Sequence, residues 1–179
     1  MKAEKNMKKA VLARISPDDI LLIFSGLKTV DVHLSIPDIE VPFTVYMYAP
    51  SKDPDCPGNV FGEFKCIDID IFDCSGPGVK FRRFSALHQS CMSLKQMKEL
   101  ANGGYVYGWQ IANVWVYDKP VPITQFYEPC DKNCGECDYS CYDPHDEMPG
   151  GVGESYCGMG DVESNLQPPE DWCYVEPLL

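Results

Sequence analysis

No stretch of this 179-residue chain reaches the roughly 18 consecutive apolar residues that a membrane-spanning helix requires. Behind the charged start Met1–Asn6 there is no apolar run of secretory type, so a cytoplasmic, reducing compartment is expected. The ten cysteines are then not read as a disulfide framework. A glycine-rich phosphate loop, a His-Glu-x-x-His pair and a serine nucleophile elbow are all missing, and with them the commonest signatures of nucleotide hydrolysis, zinc proteolysis and esterase chemistry. Basic residues are scarce at one end. Residues 129–179 hold one lysine, Lys132, against 12 Asp and Glu, while residues 1–128 hold 14 Lys and Arg against 15 acids. The net charge of −12 therefore sits almost wholly in the C-terminal segment, which would repel nucleic acid, whereas the rest is close to neutral.

A hydrophobic share of 45% suffices for one core, and a single domain over 7–179 is expected, with residues 1–6 disordered. Residues 8–15 read as a strand. Ser16-Pro17-Asp18-Asp19 opens a helix over 17–25: the serine can accept from free amides, the proline suits the first position, and the acids suit the helix dipole. Ile20, Leu21, Ile23 and Phe24 supply its apolar face, and Gly26 ends it. The period then changes to two. Over 28–35, Val30, Val32 and Leu34 point one way, and Thr29, Asp31 and His33 the other. Strands follow at 43–48 and 59–73, the second with a phase switch near Cys66 that suggests a bulge or barrel corner. Residues 75–92 read as irregular. Ser93-Leu94-Lys95-Gln96 is a capping box opening a helix that Gly103-Gly104 ends. Tyr105–Tyr117 is a strand pair or one long strand bent at Gly108, and Trp172–Val175 is the last strand.

The Gly26-x-Lys28-x-x-Asp31-x-His33 pattern after the first helix resembles the ASCH family. Both of its last two places depart from the glutamate and arginine usual there. Further segments in the same order strengthen the resemblance and point to its phage and prophage branch: Gly58 before Gly62–Cys66, then Tyr107–Ile111, Tyr117–Pro120 and Pro168–Val175. The resemblance implies an α+β, mostly β fold: a PUA-like small β-barrel with two flanking helices. It implies a ligand cleft between the first helix and the barrel, lined by Lys28, Thr29, Asp31 and His33 with Trp109 nearby, which takes RNA, a nucleotide or a modified nucleobase. Some ASCH-fold proteins similar to this one hydrolyse N4-acetylcytidine with a Lys–Thr–Glu set. Their lysine corresponds to Lys28, but their threonine falls on Asp31, so that enzyme reading loses its central residue and no catalytic residue is assigned.

Two other constellations carry chemistry. Cys130-x3-Cys134-x2-Cys137-x3-Cys141, with His145 and Cys157 nearby, lies in an acidic segment, 129–165, too poor in aliphatics to build its own core. A metal replacing that core is expected, with zinc as the default for sulfur ligands; free thiols in a loose acidic insertion are the alternative. Cys56, Cys66, Cys74 and Cys91 are scattered and read as small buried hydrophobes. Lys80, Arg82 and Arg83 interleave with Phe81 and Phe84, which suits single-stranded nucleic acid or, alternatively, a solvated loop anchored by its rings. Three functions remain open: an RNA or nucleotide binder, an enzyme on a modified nucleobase, and a phage factor whose acidic surface binds a host defence or RNA-processing protein.

Overall fold

A computed structural model describes residues 9–51, 58–129, 166 and 168–178. Its elements are β1 (Ala10–Arg14), α1 (Pro17–Phe24), β2 (Val30–His33), β3 (Phe43–Ala49), β4 (Asn59–Asp73), β5 (Lys80–Phe81), α2 (Phe84–Gln89), α3 (Leu94–Ala101), β6 (Tyr105–Pro122), a 3-10 turn (Ile123–Gln125) and β7 (Trp172–Val175). The mostly β, α+β class is as expected, with one helix more. Residues 84–89, read from sequence as irregular, form α2. No side chain caps it, so it carries no start signal. The other two helices begin where their caps predict. Ser16 accepts from the Asp19 amide at 3.1 Å, and Ser93 with Gln96 forms the full capping box. On α1 only Ile20 and Ile23 are buried; Leu21 points to solvent.

The strands pair in the order β2-β6-β4-β3-β1-β7, with β5 added to β4. β1 and β3 run parallel and the other pairs antiparallel. The phase switch lies where expected. Cys66 pairs with Ile111 and Ile69 with Trp109, so β4 carries one extra residue there. Phe64 and Cys66 therefore face the same core as Ile69, while Phe72 faces the opposite one. Ile67 and Ile71 are left half exposed.

β6 keeps its register with both β2 and β4 through Gly108. The role of this glycine is room: a Cβ there would lie 2.7 Å from the Phe72 ring and 2.8 Å from Val30 Cγ1. β6 is irregular further along: at Asn113, whose positive φ of 50° marks a residue added between the Lys65–Ala112 and Glu63–Trp115 pairs, and again between the Gly62–Val116 and Val60–Val121 pairs. Gly108→Ala is expected to cost about 1–3 kcal/mol by overpacking, read as a lower denaturant midpoint at unchanged m-value.

Three cores result. The central one joins Val11, Ala13, Val45, Met47, Phe64 and Trp109 under α1, through Ile20 and Ile23. A second joins Leu12, Tyr46, Tyr48, Val60, Phe126 and Val175 on the other face of β1 and β3. The third joins Val30, Phe72, Leu87, Met97 and Val106 beneath α2 and α3. β2 and β7 are the two ends of the strand path, and among the described residues no backbone ladder joins them. Side chains span the gap. Asp171 accepts from His33 Nδ1 at 2.6 Å and from the Leu34 amide at 2.9 Å, Trp172 Nε1 donates to Ser35 Oγ at 2.8 Å, and the Asp38 amide donates to the Tyr174 hydroxyl.

Candidate functional site

The turn after α1 delivers Lys28, and the alternation of β2 sends Asp31 and His33 to the face bearing Trp109. Val30 and Val32 go to the opposite core. The predicted alternation holds, but the polar face is the inner one. Lys28, Asp31 and His33 are 3%, 4% and 2% exposed. Ionic side chains so enclosed must find partners within the protein, and these form a continuous chain. Lys28 Nζ lies 2.9 Å from Asp19 Oδ1 and 2.8 Å from Asp31 Oδ1. Asp31 Oδ2 accepts from His33 Nε2 at 2.9 Å, and His33 Nδ1 donates to Asp171. The relay alternates in sign: Asp19, Lys28, Asp31, His33, Asp171.

Each buried charge is held by its neighbours. Burial works against the Asp31 carboxylate, but His33 and Lys28 outweigh it and keep its pKa well below the carboxylate range. Burial also disfavours the His33 cation, yet Asp31 and Asp171 outweigh that and push it up to about 9. Lys28 is raised in the same way, with Asp31 and Asp19 offsetting its desolvation. At neutral pH His33 is thus an imidazolium with both ring N–H groups donating to carboxylates. Trp109 stacks on it, centroids 3.8 Å apart and planes at 28°, an arrangement that favours a cation over the indole face. A ring so engaged has no lone pair to offer as a general base.

The relay reaches the surface at both ends. Asp19 is 37% exposed and Asp171 26%. Beside Asp171 opens a pocket of about 390 Å³. Ile15, Val32, Leu34, Pro50 and Leu100 give it apolar walls, and Arg14, Ser16, Glu170 and Asp171 supply its polar groups. None of Lys28, Thr29, Asp31 and His33, expected to line a cleft beside the first helix, lines this pocket. The Asp171 carboxylate is fixed there by the His33 ring and the Leu34 amide, and its backbone carbonyl accepts from the Arg14 amide at 2.7 Å.

The expected site residues therefore separate. Lys28, Asp31, His33 and Trp109 come together, but buried, and none of them lines the pocket. Trp109 is fully buried, and its Nε1 has no partner among the described residues. Thr29 is half-buried, with its backbone tied to Gln89 and Ile111. Arg82 and Arg83 lie apart, at the β5–α2 corner. Arg83 is spent on Asp70, at 2.8 Å from Nε, and on Asp68, while Arg82 is exposed. Sequence reasoning passed over Asp171, Asp19 and Arg14. Asp171 lay within the Pro168–Val175 segment already singled out, but nothing local tells that it pairs with a histidine 138 positions earlier. Cys66 and Cys74 are buried as expected, and Cys91 is exposed. Cys56, Cys130, Cys134, Cys137, Cys141, His145 and Cys157 lie outside the described residues.

Among solved structures, the chain is similar to the crystal structure of ASCH from Zymomonas mobilis. The TM-score is 0.56 at 16% identity, over 93% of this chain and 87% of that one. The chain has the ASCH fold. A serine-to-alanine variant of the same Zymomonas mobilis protein is similar at a TM-score of 0.50 and 18% identity, over 66% of this chain and 78% of that one. No protein-family model matches the chain, and no curated protein matches it.

Proposed function

We propose that the protein binds RNA, or a nucleotide or modified nucleobase, in the cleft beside Asp171. The observation that carries this reading is an apolar-walled pocket of about 390 Å³ in which a fixed carboxylate stands ready to accept. Its volume falls within the range of small-molecule sites, and such sites pair apolar walls with a few placed polar groups. A carboxylate held from behind accepts from the amino edge of a cytosine, adenine or guanine, as base-edge recognition in unstacked RNA requires. Arg14, at the same pocket, suits a phosphate. Lys28, Asp31 and His33 act through Asp171, and Trp109 backs His33. The ordered segments that resemble the phage and prophage branch support a phage-encoded protein acting in the host cytoplasm. The spacing of Cys130, Cys134, Cys137 and Cys141 supports a structural zinc in the C-terminal segment.

The test is a thermal-shift screen with the four nucleoside monophosphates and the matching nucleosides. A monophosphate with an amino-bearing base is expected to raise the midpoint, by up to about 2.7 kcal/mol of stabilisation at a hundredfold excess over Kd. Arg14→Ala should weaken the monophosphate more than its nucleoside. No shift with any of the eight would sink the reading. The concentration of charge in residues 129–179, one lysine against 12 acids, favours a second reading: a protein-interaction factor that presents an acidic surface to a host defence or RNA-processing protein. A protein indifferent to all eight ligands that binds a polylysine peptide in a salt-sensitive way would favour it.

A further inference from the structure

The β5–α2 corner stands out against the charge of the rest of the chain. Residues 74–98 hold five Lys and Arg and no Asp or Glu, in a protein of net charge −12. Within them a row of rings climbs from the core to the surface. Buried Phe72 lies 6.4 Å from Phe81, Phe81 lies 5.4 Å from Phe84, and Phe84 meets His88 edge-on at 5.2 Å. Phe84 is 63% exposed. A large apolar ring held so far out has no share in the core, yet its neighbours fix its orientation.

Arg83 explains how the corner is held. Its guanidinium bonds Asp68 and the fully buried Asp70, which also accepts from Gln110 of β6. This pins the turn to two strands and leaves the next cation exposed. Among the described residues Arg82 makes no ion pair, and Lys80, 83% exposed, has only a loose one to Asp73 at 3.8 Å. An exposed ring braced by two others and flanked by two accessible cations is the combination that holds single strands: the ring stacks on a base, the cations track the backbone.

We propose that this corner is a docking platform for single-stranded RNA, with Phe84 as the stacking residue, Arg82 and Lys80 as phosphate contacts, and Arg83 as the positioning residue. It rests on the nucleic-acid reading above and sharpens it, because a platform outside the cleft implies a polynucleotide ligand and not a free nucleotide. Stacking on a lone ring tolerates any base, so the corner adds affinity and leaves selection to the cleft.

The test uses the full chain and a fluorescein-labelled eight-nucleotide oligouridylate, followed by anisotropy at two salt concentrations. Phe84→Ala and Arg82→Glu are each expected to weaken binding about tenfold, and Phe84→Tyr to retain it. Binding of wild type should weaken with salt, and Arg82→Glu should reduce that slope. None of the three should change the thermal shift given by a nucleoside monophosphate. That arm separates the two sites: loss of the monophosphate shift with the oligouridylate behaviour intact counts against the cleft alone. The platform is overturned if wild type fails to bind the oligouridylate or if Phe84→Ala binds like wild type. It is equally overturned if a polyglutamate peptide displaces the RNA with no dependence on Phe84, which would mark a merely electrostatic surface.

Discussion

Replacing Asp31 by alanine is expected to lower the stability of the fold by about 3–5 kcal/mol, the range for removing one partner from a buried ionic set. Asp31 is 4% exposed and receives Lys28 Nζ at 2.8 Å and His33 Nε2 at 2.9 Å. Without it two buried cations face each other across the space it filled, each left with a single, partly exposed carboxylate. For a chain of this size that loss lowers the thermal midpoint by roughly 6–20 °C. The charges need not be a net source of stability. A triple variant, Lys28→Met with Asp31→Leu and His33→Phe, removes the enclosed ions together and should recover much of the loss, because the penalty lies in breaking the set and not in lacking it. Urea denaturation of the two variants settles the point. An Asp31→Ala protein within 1 kcal/mol of wild type would show that the relay is not closed in solution.

The second large effect is on pH. His33 has a pKa of about 9 in the folded protein against an ordinary 6.5, so its stabilising share is complete below about pH 6.5. It fades as pH rises through about 9, because above 6.5 the unfolded chain has released the proton that the folded chain still holds. The difference corresponds to roughly 3 kcal/mol. Asp31 behaves in the opposite sense. Its lowered pKa gives stability that is present above the ordinary carboxylate range and is lost as pH falls through the folded value. Stability should therefore be highest on the mildly acidic side of neutrality and decline from pH 6.5 to 9. Above pH 9 the decline continues, since burial lifts the Cys66 thiol to about 12 and the Cys173 thiol to about 11. Guanidinium unfolding at pH 6, 7.5 and 9 measures the slope, and His33→Gln should flatten it over that window. A wild-type slope equal to that of His33→Gln would remove the imidazolium from the account.

Much of the fold could be read from the residues because its signals are local. Ser16-Pro17 and Ser93-x-x-Gln96 start their helices, and Gly26 ends the first with a φ of 73°. The β4 bulge could be read because a period of two changes phase wherever a residue is added. What escaped depends on distance in the chain. The period of two placed Thr29, Asp31 and His33 on one face, but it cannot say whether that face meets water or protein. Asp171 decides that, from 138 residues away. Gly108 was partly legible for a related reason: a glycine in a strand reads as a bend or as room for a neighbour, and the need for room shows only once Phe72 and Val30 are placed beside it. The Arg82–Arg83 pair looked uniform, yet the turn between β5 and α2 sends one cation to Asp70 and the other to solvent.

The gap between β2 and β7 bears on the order in which this chain matures. Its rungs join residues 33–38 to residues 171–174, so the His33–Asp171 contact cannot form until the chain has grown 138 residues past His33. Until Asp171 and β7 leave the ribosome, His33 lacks one of its two carboxylates, and the nascent sheet holds an imidazolium only half answered. Loops that long are slow to close. The arrival of β7 thus completes the side-chain bridge to β2 and leaves the sheet itself open along that gap.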